Sequence, residues 1–211
     1  MKIKKFIIIC ARKGSKGIKD KNLQKVGNAS LVEHSINTAK KIKNNFIIVT
    51  SDSEKILKLS KQKKIDYLIK RPKFLSRDNS PEISVWKHAI QSLIKNLKID
   101  VDHLIVLPPT SPLRNTLDIE RCIKKYKTNK YDLVIMGYKT NHNPFFNMVK
   151  KSGNFYTIVN KLNKPIFRRQ DAPNIYNIST ACYVIKTKFL LTSKNIFDGK
   201  VGLVEIPIER S

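Results

Sequence analysis

Acidic residues are scarce in this sequence. Sixteen Asp and Glu stand against 42 Lys and Arg, a formal charge of +26 over 211 residues. Such an excess favours an anionic ligand. It does not by itself describe a nucleic-acid binder, because the charge has no block structure. Lysine is spread over nearly every segment, with only short runs such as Lys40-Lys41, Lys63-Lys64 and Lys150-Lys151. Proteins that grip nucleic acid concentrate charge on one face or tail, and neither an aromatic RNA-binding signature nor a helix-turn-helix pattern is present.

Cysteine is also sparse. Cys10, Cys122 and Cys182 are isolated, the first and last in apolar runs, and no Cys-x-x-Cys occurs. That excludes a disulfide framework and a thiolate zinc site, and it reads as buried thiols in a reducing compartment. The four histidines, His34, His88, His103 and His142, show no metal-ligand spacing. No apolar run approaches the roughly 20 residues of a membrane-spanning helix. The first apolar stretch runs straight into charged residues, which argues against a signal peptide and for the cytoplasm. Neither Gly-x-x-x-x-Gly-Lys-Ser/Thr nor Gly-x-Gly-x-x-Gly is found. There is no internal repeat and no low-complexity segment.

What is present begins at Phe6–Cys10, an apolar run that ends in a loop carrying Arg12, Lys13, Lys16, Lys19 and Lys21. Gly14 and Gly17 punctuate that loop. A strand emptying into a small, cationic, glycine-bearing loop suits a polyphosphate, because backbone N–H groups can turn inward and the cations neutralise charge.

Further along, strand-like and helix-like segments alternate. Leu31–Ile42 carries apolar residues on one helical face, Phe46–Thr50 is a buried strand, and a helix follows Ser51-Asp52-Ser53-Glu54 to about Lys63. Asp52 reads there as a helix N-cap. Tyr67–Ile69, His103–Leu107, Leu133–Gly137 and Thr180–Ile185 read as strands. Helices are expected over Ile83–Lys95, opened by Pro81-Glu82, and over Leu117–Tyr126. Such alternation predicts an α/β, Rossmann-like, mainly parallel sheet with helices on both faces. Ligands of such sheets bind beyond the carboxyl ends of the strands, here at Ala11–Lys21, Thr50–Ser53, Ile69–Ser76 and Pro108–Arg114. Phe145–Val149 and Phe155–Val159, split by Lys150–Asn154, are expected to pair as a hairpin.

Five stretches, in register over essentially the whole chain, carry a family resemblance. They are Ala11–Gly17 with Lys21-Asn22, Asp52 after its strand, and Arg71-Pro72 followed by Leu75-Ser76 and Asp78. Then come Pro109-Thr110-Ser111-Pro112-Leu113-Arg114, and Asn143–Val149 with Arg168–Pro173. Together they resemble the CMP-sugar synthetases, the acylneuraminate cytidylyltransferases. The resemblance implies a three-layer α/β/α nucleotidyltransferase fold in one domain over 1–211. Residues 139–176 would be an insertion for dimerisation and sugar binding, with the hairpin as a projecting dimer arm.

The implied activity is Mg²⁺-dependent transfer of CMP from CTP to a keto-deoxy sugar acid, releasing pyrophosphate. The implied nucleotide-binding set is Ala11, Arg12, Gly14, Ser15, Lys16, Lys21 and Asn22, with Arg71, Asp78 and Ser80 along the cytidine. Lys21, with Arg12, would be catalytic, stabilising charge on the α-phosphate. Pro108, Thr110, Ser111 and Arg114 would shape the sugar pocket. Arg169, with Gln170, would reach the sugar's carboxylate, Arg169 across a homodimer interface.

The sequence departs from the family pattern in two places. Pro108 stands where many members have Gln, and Asn177, Ser179 and Thr180 replace Arg, Asn and Gly. Losing a cation opposite a carboxylate weakens a charge-assisted contact, so a related nonulosonic acid is expected rather than N-acetylneuraminate. The resemblance also implies an acidic metal-binding segment, and Ile208-Glu209-Arg210-Ser211 stands where it would begin. The expectation is therefore that the Mg²⁺ ligands lie beyond Ser211 of a longer chain. The alternatives are a Kdo-type acid as substrate, or a catalytically impaired nucleotide-binding relative.

Overall fold

The computed structural model describes residues 5–15 and 17–211. Its centre is a seven-stranded sheet. In chain order its members are β1 (Lys5–Cys10), β4 (Asn45–Ser51), β5 (Tyr67–Lys70), β6 (His103–Val106), β7 (Leu133–Lys139), β10 (Tyr176–Lys186) and β11 (Val201–Glu205). Across the sheet the order is β11-β7-β10-β6-β1-β4-β5. β1 runs parallel to β4 and β6, with Ile7 opposite Ile47 on one side and Ile105 on the other. β10 alone runs against its neighbours β6 and β7.

Period-two alternation sends β1 side chains to opposite faces. Ile7 and Ile9 join one apolar cluster, Phe6 and Ile8 the other. Helices α1 (Leu31–Lys40), α2 (Glu54–Gln62) and α4 (Thr116–Tyr126) cover the first face through Val32, Ile36, Ile56, Ile119 and Ile123. Helices α3 (Glu82–Leu97) and α5 (Thr187–Thr192) cover the second through Trp86, Ile90, Leu93 and Leu190. The layering is the α/β/α arrangement expected.

The small pair β2 (Lys25–Val26) and β3 (Ala29–Ser30) turns through Gly27, whose φ of +63° suits a residue without a Cβ. β8 (Val149–Ser152) and β9 (Phe155–Ile158) form the hairpin. Its first strand begins four residues later than the sequence suggests. A tight turn at Gly153, φ +62°, pairs Ser152 with Phe155, and so draws Lys150–Ser152 into the strand. Phe145–Asn147 instead lie in a turn, where Asn143 Oδ1 accepts from Phe145 N at 2.9 Å. β11 and α5 had no clear sequence signature. Gly202 lets β11 lie under Tyr131, since a Cβ there would sit 2.9 Å from the ring.

Candidate active site

The loops after β1, β5 and β6 meet β10 around one cleft of about 300 Å³. From the first loop come Arg12, Gly14, Ser15, Lys21 and Asn22. Asn22 is buried and its Nδ2 donates to Arg12 O at 2.9 Å, which closes the loop on itself. Lys21 opens a short 3-10 turn, Lys21–Leu23, behind Asp20 in the left-handed region. A Cβ at Gly14 would meet no atom within 4 Å, so the loop is open on this side. Lys16 lies outside the described residues.

Asp52 anchors this loop from the next strand end. Its Oδ1 accepts from Lys13 N at 2.8 Å. The N-cap expected of Asp52 belongs to Ser53, whose side chain accepts from Ile56 N. The carboxylate is thereby left to fix the cationic loop, a role no local spacing signals.

From the second loop come Arg71, Asp78 and Ser80. Arg71 is buried, and its Nη2 donates to Thr50 O at 2.9 Å. Asp78 Oδ1 lies 2.7 Å from Arg12 Nη1, an ion pair between the two loops. Ser80 Oγ donates to Phe74 O at 2.7 Å and ties the turn. Arg77, Leu75, Glu82 and Val85 also line the cleft, and none of them was singled out as a site residue from the sequence. Glu82 is exposed, but partial desolvation of its carboxyl raises its pKa, with the Arg71 guanidinium pulling the other way. Burial likewise pushes the Cys10 thiol to about 12, which keeps it a neutral wall and no nucleophile.

The third side holds Pro108, Pro109, Thr110 and Thr180. Thr180 sits where β10 shifts register between Ser179 and Tyr183. Its Oγ1 is 3.0 Å from both Thr110 Oγ1 and Ser111 Oγ, so three hydroxyls cluster there. Ser111 is buried and meets the cleft only through Thr180.

Arg114 lies beneath this loop, not in the cleft. It is buried, with Nε on Ser111 O at 2.7 Å, Nη1 on Ala181 O at 2.8 Å, and Nη2 on Ser35 Oγ and Pro108 O. No carboxylate pairs with it among the described residues. Burial lowers its pKa to about 10, which leaves it charged at neutral pH. It braces the loop that carries Thr110 through backbone carbonyls. Ala11, fully buried, is likewise support.

Arg169 and Gln170 are not in this cleft. They line a separate hollow of about 480 Å³ with Asn141 and Asn143. Arg169 Nη2 donates to Asn141 Oδ1 at 2.8 Å.

The cleft therefore gathers the cations Arg12 and Lys21, a hydroxyl cluster at one side, and a buried guanidinium near a carboxyl at the other. Along the sequence, the family model for cytidylyltransferases matches residues 6–206. The chain belongs to the cytidylyltransferase family.

Relatives in that family agree with the resemblance read from the motifs. The chain is 32% identical over 205 residues to post-translational flagellin modification protein B of Campylobacter coli, covering 92% of this chain and 83% of that one. It is 29% identical over 196 residues to CMP-N,N'-diacetyllegionaminic acid synthase of Campylobacter jejuni, with the same shares covered. Its fold matches that of CMP:2-keto-3-deoxy-manno-octonic acid synthetase, with a TM-score of 0.70 at 13% identity, over 97% of this chain and 90% of that one. It also matches a 4-diphosphocytidyl-2C-methyl-D-erythritol synthase, with a TM-score of 0.67 at 8% identity, over 99% and 92%. By its family this cytidylyltransferase is a nucleotidyltransferase enzyme.

A Mg²⁺ held by one or two carboxylates together with substrate phosphates would need few protein ligands. No three of His, Cys, Asp and Glu gather among the described residues. In the cleft Asp78 is paired with Arg12, and the exposed Glu82 lies near Arg71. No described helix is long and apolar enough to cross a membrane.

Proposed function

We propose that this chain transfers CMP from CTP to a sialic-acid-like keto-deoxy sugar acid and releases pyrophosphate. The observation that carries the reading is the single cleft joining Arg12, Ser15 and Lys21 to Arg71 on one side and Thr110 and Thr180 on the other. The sugar's anomeric hydroxyl oxygen forms a bond to the α-phosphorus as the bridging bond to the β-phosphate breaks. The electron pair leaves with pyrophosphate, and the hydroxyl proton passes to solvent. Such a step depends on positioning and on neutralising charge in a partly desolvated site. Arg12 and the loop N–H groups hold the triphosphate, and Lys21 meets charge developing at the α-phosphate. The Thr110, Ser111 and Thr180 hydroxyls receive the polar face of the sugar.

The working unit in this reading is a homodimer. The hairpin leaves Val149, Phe155 and Tyr156 at 60%, 77% and 68% exposure, a large apolar area for an isolated chain. The hollow holding Arg169 lies apart from the cleft of its own chain, which fits a cation supplied to the sugar carboxylate of a neighbour.

The test is CTP-dependent pyrophosphate release with a panel of nonulosonic and Kdo-type acids, with Mg²⁺ supplied. Release with a nonulosonic acid supports the reading. Release with a Kdo-type acid alone transfers the chain to that substrate class. CTP binding with no release from any acid replaces the reading with a binding protein.

A further inference from the structure

The central sheet ends in β5 on one side and β11 on the other. An edge strand offers unpaired backbone N–H and C=O groups, and proteins blunt such edges with short strands, lysine and proline. β5 follows that rule. It is four residues long, ends in Lys70 and is stopped by Arg71-Pro72. β11 does not. Its run Val-Gly-Leu-Val-Glu holds neither lysine nor proline.

The pairing with β7 shows which groups of β11 are free. Leu133 N donates to Lys200 O, and Ile206 N donates to Gly137 O. Successive residues of a strand turn their backbone polar groups to alternate sides. Even-numbered positions therefore bond β7, and the N–H and C=O groups of Val201, Leu203 and Glu205 point to the open edge. No described residue bonds them there.

A hollow of about 500 Å³ lies between β11 and α4. α4 lines it with Arg121, Lys124 and Lys125, spaced i, i+3 and i+4 on one helical face. β11 lines it with Leu203 and with Glu205, the one acid among the described lining residues. Lys125 Nζ sits 5.4 Å from the centre of the Tyr131 ring, which holds it in place. Arg121 shares Asp118 with Arg210, so one carboxylate meets two guanidiniums and the wall stays positive.

Open backbone donors and acceptors beside a cationic wall fit an occupant that is both extended and acidic. We propose that β11 docks an acidic segment of a partner protein, which adds to the sheet as a further strand while its carboxylates meet Arg121, Lys124 and Lys125. Main-chain bonds give strand addition its affinity, and the side chains give it specificity. A second copy of this chain paired β11 to β11 fits less well, because it brings two cationic walls together. The docking surface shares no residue with the cleft, so the proposal stands apart from the transferase reading.

The probes are short labelled peptides: alternating Glu-Val, alternating Lys-Val, and Glu-Val with proline replacing some of the valines. Fluorescence anisotropy near physiological salt measures their binding, and amide exchange followed by NMR locates it. The Glu-Val peptide should bind at least about tenfold more tightly than either control, since strand addition needs backbone donors as well as charge. Exchange at Val201, Leu203 and Glu205 should slow when it binds. Leu203→Pro removes an outward N–H from a position where an edge strand accepts proline, and it should abolish binding. Lys124→Glu, at an exposed position, should weaken binding by about tenfold, since it sets like charges together. The same reversal at exposed Lys55 on α2 should not. Thermal unfolding checks each variant, and the Lys124 and Lys55 pair decides if the proline variant does not fold. Equal binding of the Glu-Val and proline-bearing peptides overturns the proposal in favour of charge alone. No binding, or slowed exchange away from β11, overturns it too. Self-association of the unaltered chain that Leu203→Pro abolishes gives the edge to a second copy instead.

Discussion

Arg12 and Asp78 meet across the cleft, Nη1 to Oδ1 at 2.7 Å, and so join the loop after β1 to the loop after β5. Both side chains are partly exposed, at 33% and 48%. An exposed pair of this kind contributes about 0–1 kcal/mol. A triphosphate can therefore take over the guanidinium at small cost. Arg12→Ala should weaken CTP binding by about tenfold or more, since charge-assisted contacts to phosphate are lost. Asp78→Asn should change it by no more than about fivefold, the equivalent of that exposed pair. Calorimetric titration decides between the two. A larger effect at Asp78 than at Arg12 would reverse their roles.

Lys21 and Arg169 should separate kinetically. Lys21→Ala should lower kcat by about 100-fold or more with a much smaller effect on CTP binding, because its charge matters as the α-phosphate charge develops. Arg169→Ala should raise the sugar's KM and leave that of CTP nearly unchanged. Steady-state kinetics with both substrates varied tests this. Parallel losses in kcat and CTP affinity at Lys21 would place it in ground-state binding.

Arg114 should prove a stability residue. Arg114→Met removes a buried cation and leaves Ser111 O, Ala181 O and Pro108 O without this donor. Bonds to charged donors and unsatisfied buried acceptors each count for one to a few kcal/mol, so a loss of about 3 kcal/mol is expected. Denaturant unfolding measures it. A fully stable variant with impaired sugar affinity would instead make Arg114 a ligand contact.

The start of α1 gives a pH prediction. Ser30 N and Oγ both donate to Glu33 Oε2, at 2.9 and 2.8 Å, and Lys63 Nζ lies 3.0 Å from Oε1. The Ser30 backbone bond, then its hydroxyl, pull the carboxyl down from 4.5 to about 2, with Lys63 adding to them. A depressed folded pKa means stabilisation that is complete above the ordinary value and lost as pH falls toward the folded one. Glu33→Gln should therefore cost about 1 kcal/mol near neutral pH, the scale of a lost cap. The difference should shrink as the solution is taken to about pH 3 and below. Thermal unfolding of both chains across that range checks it, and a constant difference would remove the carboxylate's charge from the explanation.

Much of the site was legible because its residues are consecutive. Arg12, Gly14, Ser15, Lys21 and Asn22 follow one strand, and Thr110 follows another, so the rule that ligands sit beyond strand ends brings them together. Glu82 was legible only as a helix start after Pro81, since nothing in its spacing tells that the first turn of α3 opens on Arg71. Thr180 stood out as a departure from a pattern, but its contact with Thr110 and Ser111 depends on the shift of register in β10. Asp52 looked like a cap because caps are local. Its bond to Lys13 N joins residues on two different strand ends.

The sequence by itself determined the alternation of strands and helices, the cationic loop after β1 and the family. Each is written in period, composition or contiguous motif, which need no knowledge of what lies opposite. Only the tertiary structure decided that β10 runs antiparallel between β6 and β7, and that Arg114 is a brace. It alone separated Arg169 from the cleft of its own chain and set Glu82 beside Arg71. Those outcomes turn on strand order and on which buried polar groups find partners across long sequence separations. They are settled by packing and desolvation of the whole sheet, not by any local run of residues.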